Sequence, residues 1–385
     1  MNWLGRLYLY EIKKIVRRKM VWIVGIIMVL LCVFVSISDL ISTSYDGGNN
    51  GYERMEIIKQ YARSLSGRSI DDALLQEMQD SYKEEATDGK VRKYLPIYLF
   101  VQDITGDDDL SQKMDSDELY LERQNSIAQN RADQMLTEKE IGFWQEKELQ
   151  IEIPITYEYA DGWSNLWVYV STINYMLLLM IAICLSNVFS MEHSRKTDAI
   201  ILCSQYGRKQ LYIAKILAGI TFGLVTSIVL FGTTAISSIV VYGADGFNAA
   251  LQSAFPMSSW TMSIGKSVWV LFFTLLIVSV LNSIVIMFLS ELLKNSVAVM
   301  AIPVGIMILT MMIDIPYQFR IFSQIYDLLP TNLLMVWELW DDRLVSLFGE
   351  YLTNFQIAPI IYLVIAILLF IAGKRIYQKY QIGAR

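Results

Sequence analysis

The chain has 385 residues, 54% of them apolar and only 18% charged, with a positive mean hydropathy; this excludes an ordinary soluble domain and points to a polytopic membrane protein. The net charge of −6 divides unevenly: residues 43–163 hold 13 Lys+Arg against 26 Asp+Glu, a net of −13, while the other 19 against 12 give +7. The acidity belongs to one polar insert, which argues against nucleic acid as a partner, and Cys32, Cys184 and Cys203 lie in or beside apolar runs with no disulfide or zinc-ligand spacing.

The first 19 residues, "MNWLGRLYLYEIKKIVRRK", place Trp3, Leu4, Leu7, Tyr8, Ile12, Ile15 and Val16 near one helical face with Lys and Arg on the other. This predicts an amphipathic helix in the membrane interface; a plain basic flank is the alternative. Residues 20–41 follow as the first span, too long for a cleaved signal core, since a crossing needs about 20 apolar residues. Further spans are expected at 166–190, 211–242, 268–289, 297–315 and 357–372, six in all, the third overlong and the sixth short. The fold class is an all-α polytopic membrane protein.

The insert, 42–163, reads as a mainly helical domain. Helices are expected over 52–65, 69–86 (capped by Ser69) and 116–136, and "TEKE" at 137–140 fits a capping box for another. "QIEIPITYEY" alternates like a strand as the chain returns to the membrane. Near the other end, 316–355 is apolar on part of its circumference and broken by Pro330; it is expected as one or two short helices re-entering without crossing. A seventh span there would reverse the C terminus.

Orientation follows the basic residues. Arg6, Lys13, Lys14, Arg17, Arg18 and Lys19, then Arg195, Lys196, Arg208, Lys209 and Lys215, then Lys294, and lastly Lys374, Arg375, Lys379 and Arg385 fall on one side. The opposite short loops hold only Lys266, Arg320 and Arg343. Both termini are expected in the cytoplasm of a multi-pass cell-membrane protein, with the insert outside.

Motifs for chemistry are weak. "SIGKS" at 263–267 lacks the first glycine of a phosphate loop, Trp260 standing there. The acidic run 103–118 lacks the glycine and final glutamate register of a calcium loop and reads as a solvated loop. His193 is the single histidine and no nucleophile elbow occurs, so the chain is expected to be no enzyme. Asp39, Lys266, Glu291 and Asp314 fall at or near span ends, with only neutral groups such as Asn174 and Asn282 deeper, so energy for transport has to come from elsewhere. Gly219, Gly223 and Pro303 offer close packing or a kink.

Between spans two and three, "MEHSRKTDAIILCSQYGRKQLYIAK" is too polar for lipid and too short to fold alone. Thr197 can cap a short helix with Asp198 in its first turn and Gly207 at its end; Ala199, Ile200, Ile201 and Leu202 form an apolar knob rimmed by Glu192, Arg195, Lys196, Arg208 and Lys209. Such a segment suits docking to a soluble partner. The string resembles the loop after the second span in permeases of the ABC type-2 exporter class, with Glu192, Thr197, Ser204, Arg208 and Lys215 at matching positions and Asp198 beside them. "YEYADGW" at 157–163 is similar to bacterial members with an enlarged outer domain.

The resemblance implies a cytoplasmic coupling helix at 191–210 that meets ATPase subunits through Glu192, Arg195, Lys196, Thr197, Asp198 and Arg208. It implies a second permease chain, the same or related, with ATP and Mg bound by the partner ATPase and no cofactor here. The expected function is export of an amphipathic or hydrophobic substrate, peptide or lipid-like. The alternative is a non-transporting transducer or peptide-immunity component that senses a peptide through the outer domain.

Overall fold

The computed structural model describes residues 3–41, 51–85, 92–106, 114–194, 203 and 206–379. Helix α1 (Trp3–Val16) turns at 17–18 into α2 (Lys19–Ile41). α2 is apolar all round, yet buries only a stripe, Val21, Val24, Met28 and Cys32, at helical spacing; Trp22, Ile26, Leu30 and Phe34 face outward. A helix of that kind belongs in lipid. The bundle continues with α8 (Asp161–Leu185), α9 (Asn187–Ser194), α10 (Gln210–Tyr242), α11 (Ile264–Leu293), α12 (Ser296–Met312) and, at the end, α14 (Asn354–Lys379).

Among the described residues, five helices are long and apolar enough to cross a membrane: Lys19–Ser38, Asp161–Glu192, Gln210–Tyr242, Ile264–Leu293 and Asn354–Lys379. The expected fifth crossing, 297–315, corresponds to α12, whose 17 residues rise about 25 Å against a hydrocarbon core of about 30 Å. The expected sixth, 357–372, is longer than its apolar run because the helix starts at Asn354 and continues through Lys379.

α10 and α11 approach at two glycines. A Cβ on Gly223 would stand 2.2 Å from Ser283 Oγ, and one on Gly219 2.0 Å from Met287 Sδ, so hydrogen is the only side chain that fits between these helices as packed. Tyr377 packs on Phe189 and Tyr212, and Lys14 of α1 reaches α9, so the first and last described helices end together.

The polar domain sits at the opposite end. Its helices α3 (Gly51–Leu65), α4 (Asp72–Glu85), α5 (Leu95–Thr105) and α6 (Ser116–Asp133) surround a separate core that includes Leu65, Ile70, Leu74, Phe100, Leu119 and Tyr159, while α7 (Glu138–Glu148) sets Trp144 against Trp260. Two short strands close it: β1 (Arg68–Ser69) pairs antiparallel with β2 (Thr156–Tyr157). Ser69 is therefore a strand residue and not the cap expected for α4. Asp71 takes that role, its carboxylate accepting from Leu74 N–H at 3.0 Å. Of the alternating "QIEIPITYEY" only Thr156 and Tyr157 pair as strand, since β1 offers just two partners. The Thr137–Glu140 capping box forms as the sequence predicts. Of the acidic run 103–118, residues 107–113 lie outside the described residues.

Side chains of α6 and α7 fasten this domain to the bundle. Arg131 Nε donates to Asp342 at 2.6 Å, Trp144 Nε1 to the Asp342 carbonyl at 2.6 Å, and Arg123 Nε to the Pro256 carbonyl at 2.6 Å. Glu140 pairs with Arg320 and accepts from Leu344 N–H at 2.8 Å.

The segment expected as short helices alone contains α13 (Arg320–Asp327), but also a hairpin, β3 (Val345–Leu347) with β4 (Glu350–Leu352). Its two-residue turn, Phe348–Gly349, has φ of 52° and 94°; both positive values match the twist of paired strands, and Gly349 adopts its own without strain. "SIGKS" proves to be a helix start: Ser263 caps α11 by accepting from Lys266 N–H at 3.3 Å.

Candidate functional site

The bundle end that carries α1 holds a joint of buried and partly buried charges. It begins with a break in the second long helix. At Ser186 α8 stops and α9 starts anew at Asn187, and backbone groups at such a junction need partners in an apolar setting. Ser290 of α11 repairs the break: its hydroxyl donates to the Ser186 carbonyl at 2.6 Å and accepts from the N–H groups of Phe189 and Ser190 at 3.1 Å each. Arg18 Nη1, from the α1–α2 turn, donates to the Cys184 carbonyl at 3.2 Å.

α9 then carries Glu192 into contact with two lysines from distant parts of the chain. Its Oε1 lies 2.8 Å from Lys14 Nζ in α1, and its Oε2 lies 2.5 Å from Lys215 Nζ in α10. Lys215 is fully buried; it also donates to the Val188 carbonyl at 3.2 Å and sits 4.6 Å above the Phe189 ring. Glu11, buried on α1, stands 3.6 Å from Lys14 and completes two carboxylates against two ammonium groups. Burial works to lower Lys14, but Glu11 and Glu192 outweigh it and hold it above the ordinary lysine range.

Helix α1 does not rest on lipid alone. Ile15 is buried, Tyr8 and Ile12 pack against the core, and Tyr8 Oη shares a 2.9 Å hydrogen bond with Thr221 Oγ1 of α10. Trp3 stacks on Tyr206, just before α10, at 5.4 Å. α1, α9 and the start of α10 are thus clamped together at both ends of α1.

Of the residues expected to meet a partner, Glu192 lies inside this joint, buried. Arg208 lies in the turn at 206–209 leading into α10. Arg195, Lys196, Thr197 and Asp198 lie outside the described residues, as does most of the short helix expected there. Glu11 and Ser290 were not singled out by sequence reasoning. A glutamate in the middle of an amphipathic apolar face was the available signal for the first; a serine near the end of an apolar helix gives none for the second.

A bundle of long apolar helices, jointed at one end by ion pairs and carrying a polar domain at the other, is the architecture of a multi-pass membrane protein. The family described as ABC-2 family transporter protein matches residues 6–324, and the chain belongs to it. No curated protein and no solved structure matches the chain. It is therefore a membrane component of an ABC transporter, whose family works in general with cytoplasmic ABC ATPases.

Proposed function

We propose that this chain is the permease of an ATP-driven exporter and that the joint around Glu192 passes mechanical work into the bundle. In this reading the α1 end faces the cytoplasm, α12 completes a sixth crossing where the bilayer thins locally, and the polar domain lies outside. A partner ATPase engages 191–210 through Arg195, Lys196, Thr197, Asp198 and Arg208, while Glu192 acts from within, coupling that segment to α1 and α10. A second permease chain completes the transporter, and the cargo is amphipathic or hydrophobic, a peptide or a lipid-like molecule.

The observation that carries the reading is the double pairing of Glu192 with Lys14 and Lys215. A push on 191–210 must move α1, α9 and α10 together, because separating any of them strands a buried charge. The test is co-purification with the ATPase and measurement of permease-stimulated hydrolysis. Arg208→Glu should weaken the complex, and Glu192→Gln should leave the complex assembled but lower stimulated hydrolysis. Unchanged binding and hydrolysis in correctly folded Arg208→Glu and in a variant with 195–198 replaced by alanine would overturn the proposal.

A second reading, that the polar domain senses a peptide without transport, draws on the anchoring of Arg123 and Arg131 to the segments that lead into α11 and α14. Deleting 43–163 separates the two. A sensor loses its response to peptide altogether, while a transporter keeps basal stimulated hydrolysis.

A further inference from the structure

A cavity of about 260 Å³ lies where the polar domain meets the head of α8, far along that helix from Glu192. Asp161, Ser164, Asn165 and Val168 line it from one face of α8, at positions i, i+3, i+4 and i+7. Asp103 of α5 joins them at its margin, and Phe100, Tyr157 and Phe255 supply apolar and aromatic walls.

Ser253 is tied to the Glu158 backbone, but the acids and the serine that α5 and α8 present have no protein partner among the described residues. Ser164 is only 8% exposed, yet its hydroxyl makes no hydrogen bond among the described residues and opens onto the cavity. Asp161, half-buried, and Asp103, exposed at the rim, likewise meet no donor and no cation among the described residues. Burying a hydroxyl unpaired costs free energy that folding alone gives no reason to accept. The positive end of α8 makes an acid tolerable at Asp161, but it does not explain an acid facing an aromatic-walled space.

We propose that this cavity binds an organic monocation: a primary ammonium on an apolar body about the size of one amino-acid side chain, presented as a free amine or as a lysine of a peptide. The three N–H donors of an ammonium match the Asp161 carboxylate, the Ser164 hydroxyl and the Asn165 amide oxygen. The aromatic walls accept the body and favour the charge beside it. The insert's net of −13 draws cations toward the site. Because α3, α5, β2, α8 and the loop after α10 all contribute lining, an occupant ties the domain to a helix whose far end is the Glu192 joint. This last step rests on the proposed transport function; the binding itself does not.

The test uses the full chain in nanodiscs without any ATPase, with phenethylammonium as probe, 2-phenylethanol as its neutral isostere, and acetyl-Phe-Lys-Phe-amide for the peptide source. Phenethylammonium or the peptide should bind saturably at one per chain and at least tenfold more tightly than 2-phenylethanol. Asp161→Asn should weaken that binding at least tenfold. Ala254→Phe, which narrows the cavity and keeps both carboxylates, should abolish it, with an unchanged elution volume reporting the fold in each variant. No saturable binding of either cation, equal binding of the neutral isostere, or binding unaffected by both substitutions overturns the proposal. Loss of ATPase coupling with this binding intact would count against the transport reading only.

Discussion

Lys14 Nζ stands 2.8 Å from Glu192 Oε1 across 178 positions of sequence, and Lys215 reaches the other oxygen of the same carboxylate. One side chain thus holds three helices that enter the joint from different directions. In an apolar environment such a carboxylate is worth little as a net stabiliser beside a hydrophobic replacement, but much as a constraint, since losing one partner leaves the other charge buried alone.

Glu192→Gln should therefore destabilise the folded chain by about 3 kcal/mol, the cost of stranding the fully buried Lys215. Pairing it with Lys215→Met should recover most of that loss. Thermal unfolding of the four species in detergent checks it; a double variant no more stable than Glu192→Gln alone would mean that Lys215 is not the stranded charge.

The glycines between α10 and α11 make an internally controlled comparison. Gly223→Val places its first side-chain carbon 2.2 Å from Ser283 Oγ and should lower the unfolding temperature or block assembly of the bundle. Gly305→Ala in α12 meets nothing within 4 Å and should be neutral or slightly stabilising, by up to about 1 kcal/mol from its better helix propensity. Equal effects of the two would contradict the close approach.

Two carboxylates of the polar domain and its anchor should move stability with pH in opposite directions. Burial pushes Asp342 up to about 6 against the pull of Arg131, whereas an unfolded aspartate titrates near 3.8. The folded chain then holds the extra proton, and this group's contribution falls as pH rises from about 4 to about 6. Hydrogen bonds from Arg68 and Tyr94 bring Glu77 down to about 2 from 4.5, so its contribution is present above 4.5 and lost as pH falls toward 2. Unfolding profiles of Asp342→Asn and Glu77→Gln against the parent should lose these two slopes separately.

The capping box of α7 also serves the anchor. Thr137→Ala removes a cap and should cost about 1 kcal/mol. Glu140→Ala should cost about 3 kcal/mol, because Glu140 also accepts from Leu344 N–H and pairs with Arg320. Protection of amides in 341–345 by hydrogen exchange should fall in the second variant and stay unchanged in the first.

The sequence by itself determined where the long apolar helices lie, that a separate acidic domain interrupts them, and that Thr137 caps α7. Each of these is a local property: twenty apolar residues cannot be solvated by water wherever they fold, and a capping box closes within one turn. It also located the polar interruption after the second span, and with it Glu192.

Tertiary structure alone decided what Glu192 touches, that Ser290 bridges the Ser186 junction, that Gly219 and Gly223 face Met287 and Ser283 across a tight helix contact, and that one face of α8 lines a cavity with Asp161 and Ser164. The physical reason is that a buried charge or hydroxyl is defined by the partner that desolvates and pairs it. Lys14, Glu192 and Lys215 are brought within hydrogen-bond distance by packing of three helices, which no spacing along the chain encodes.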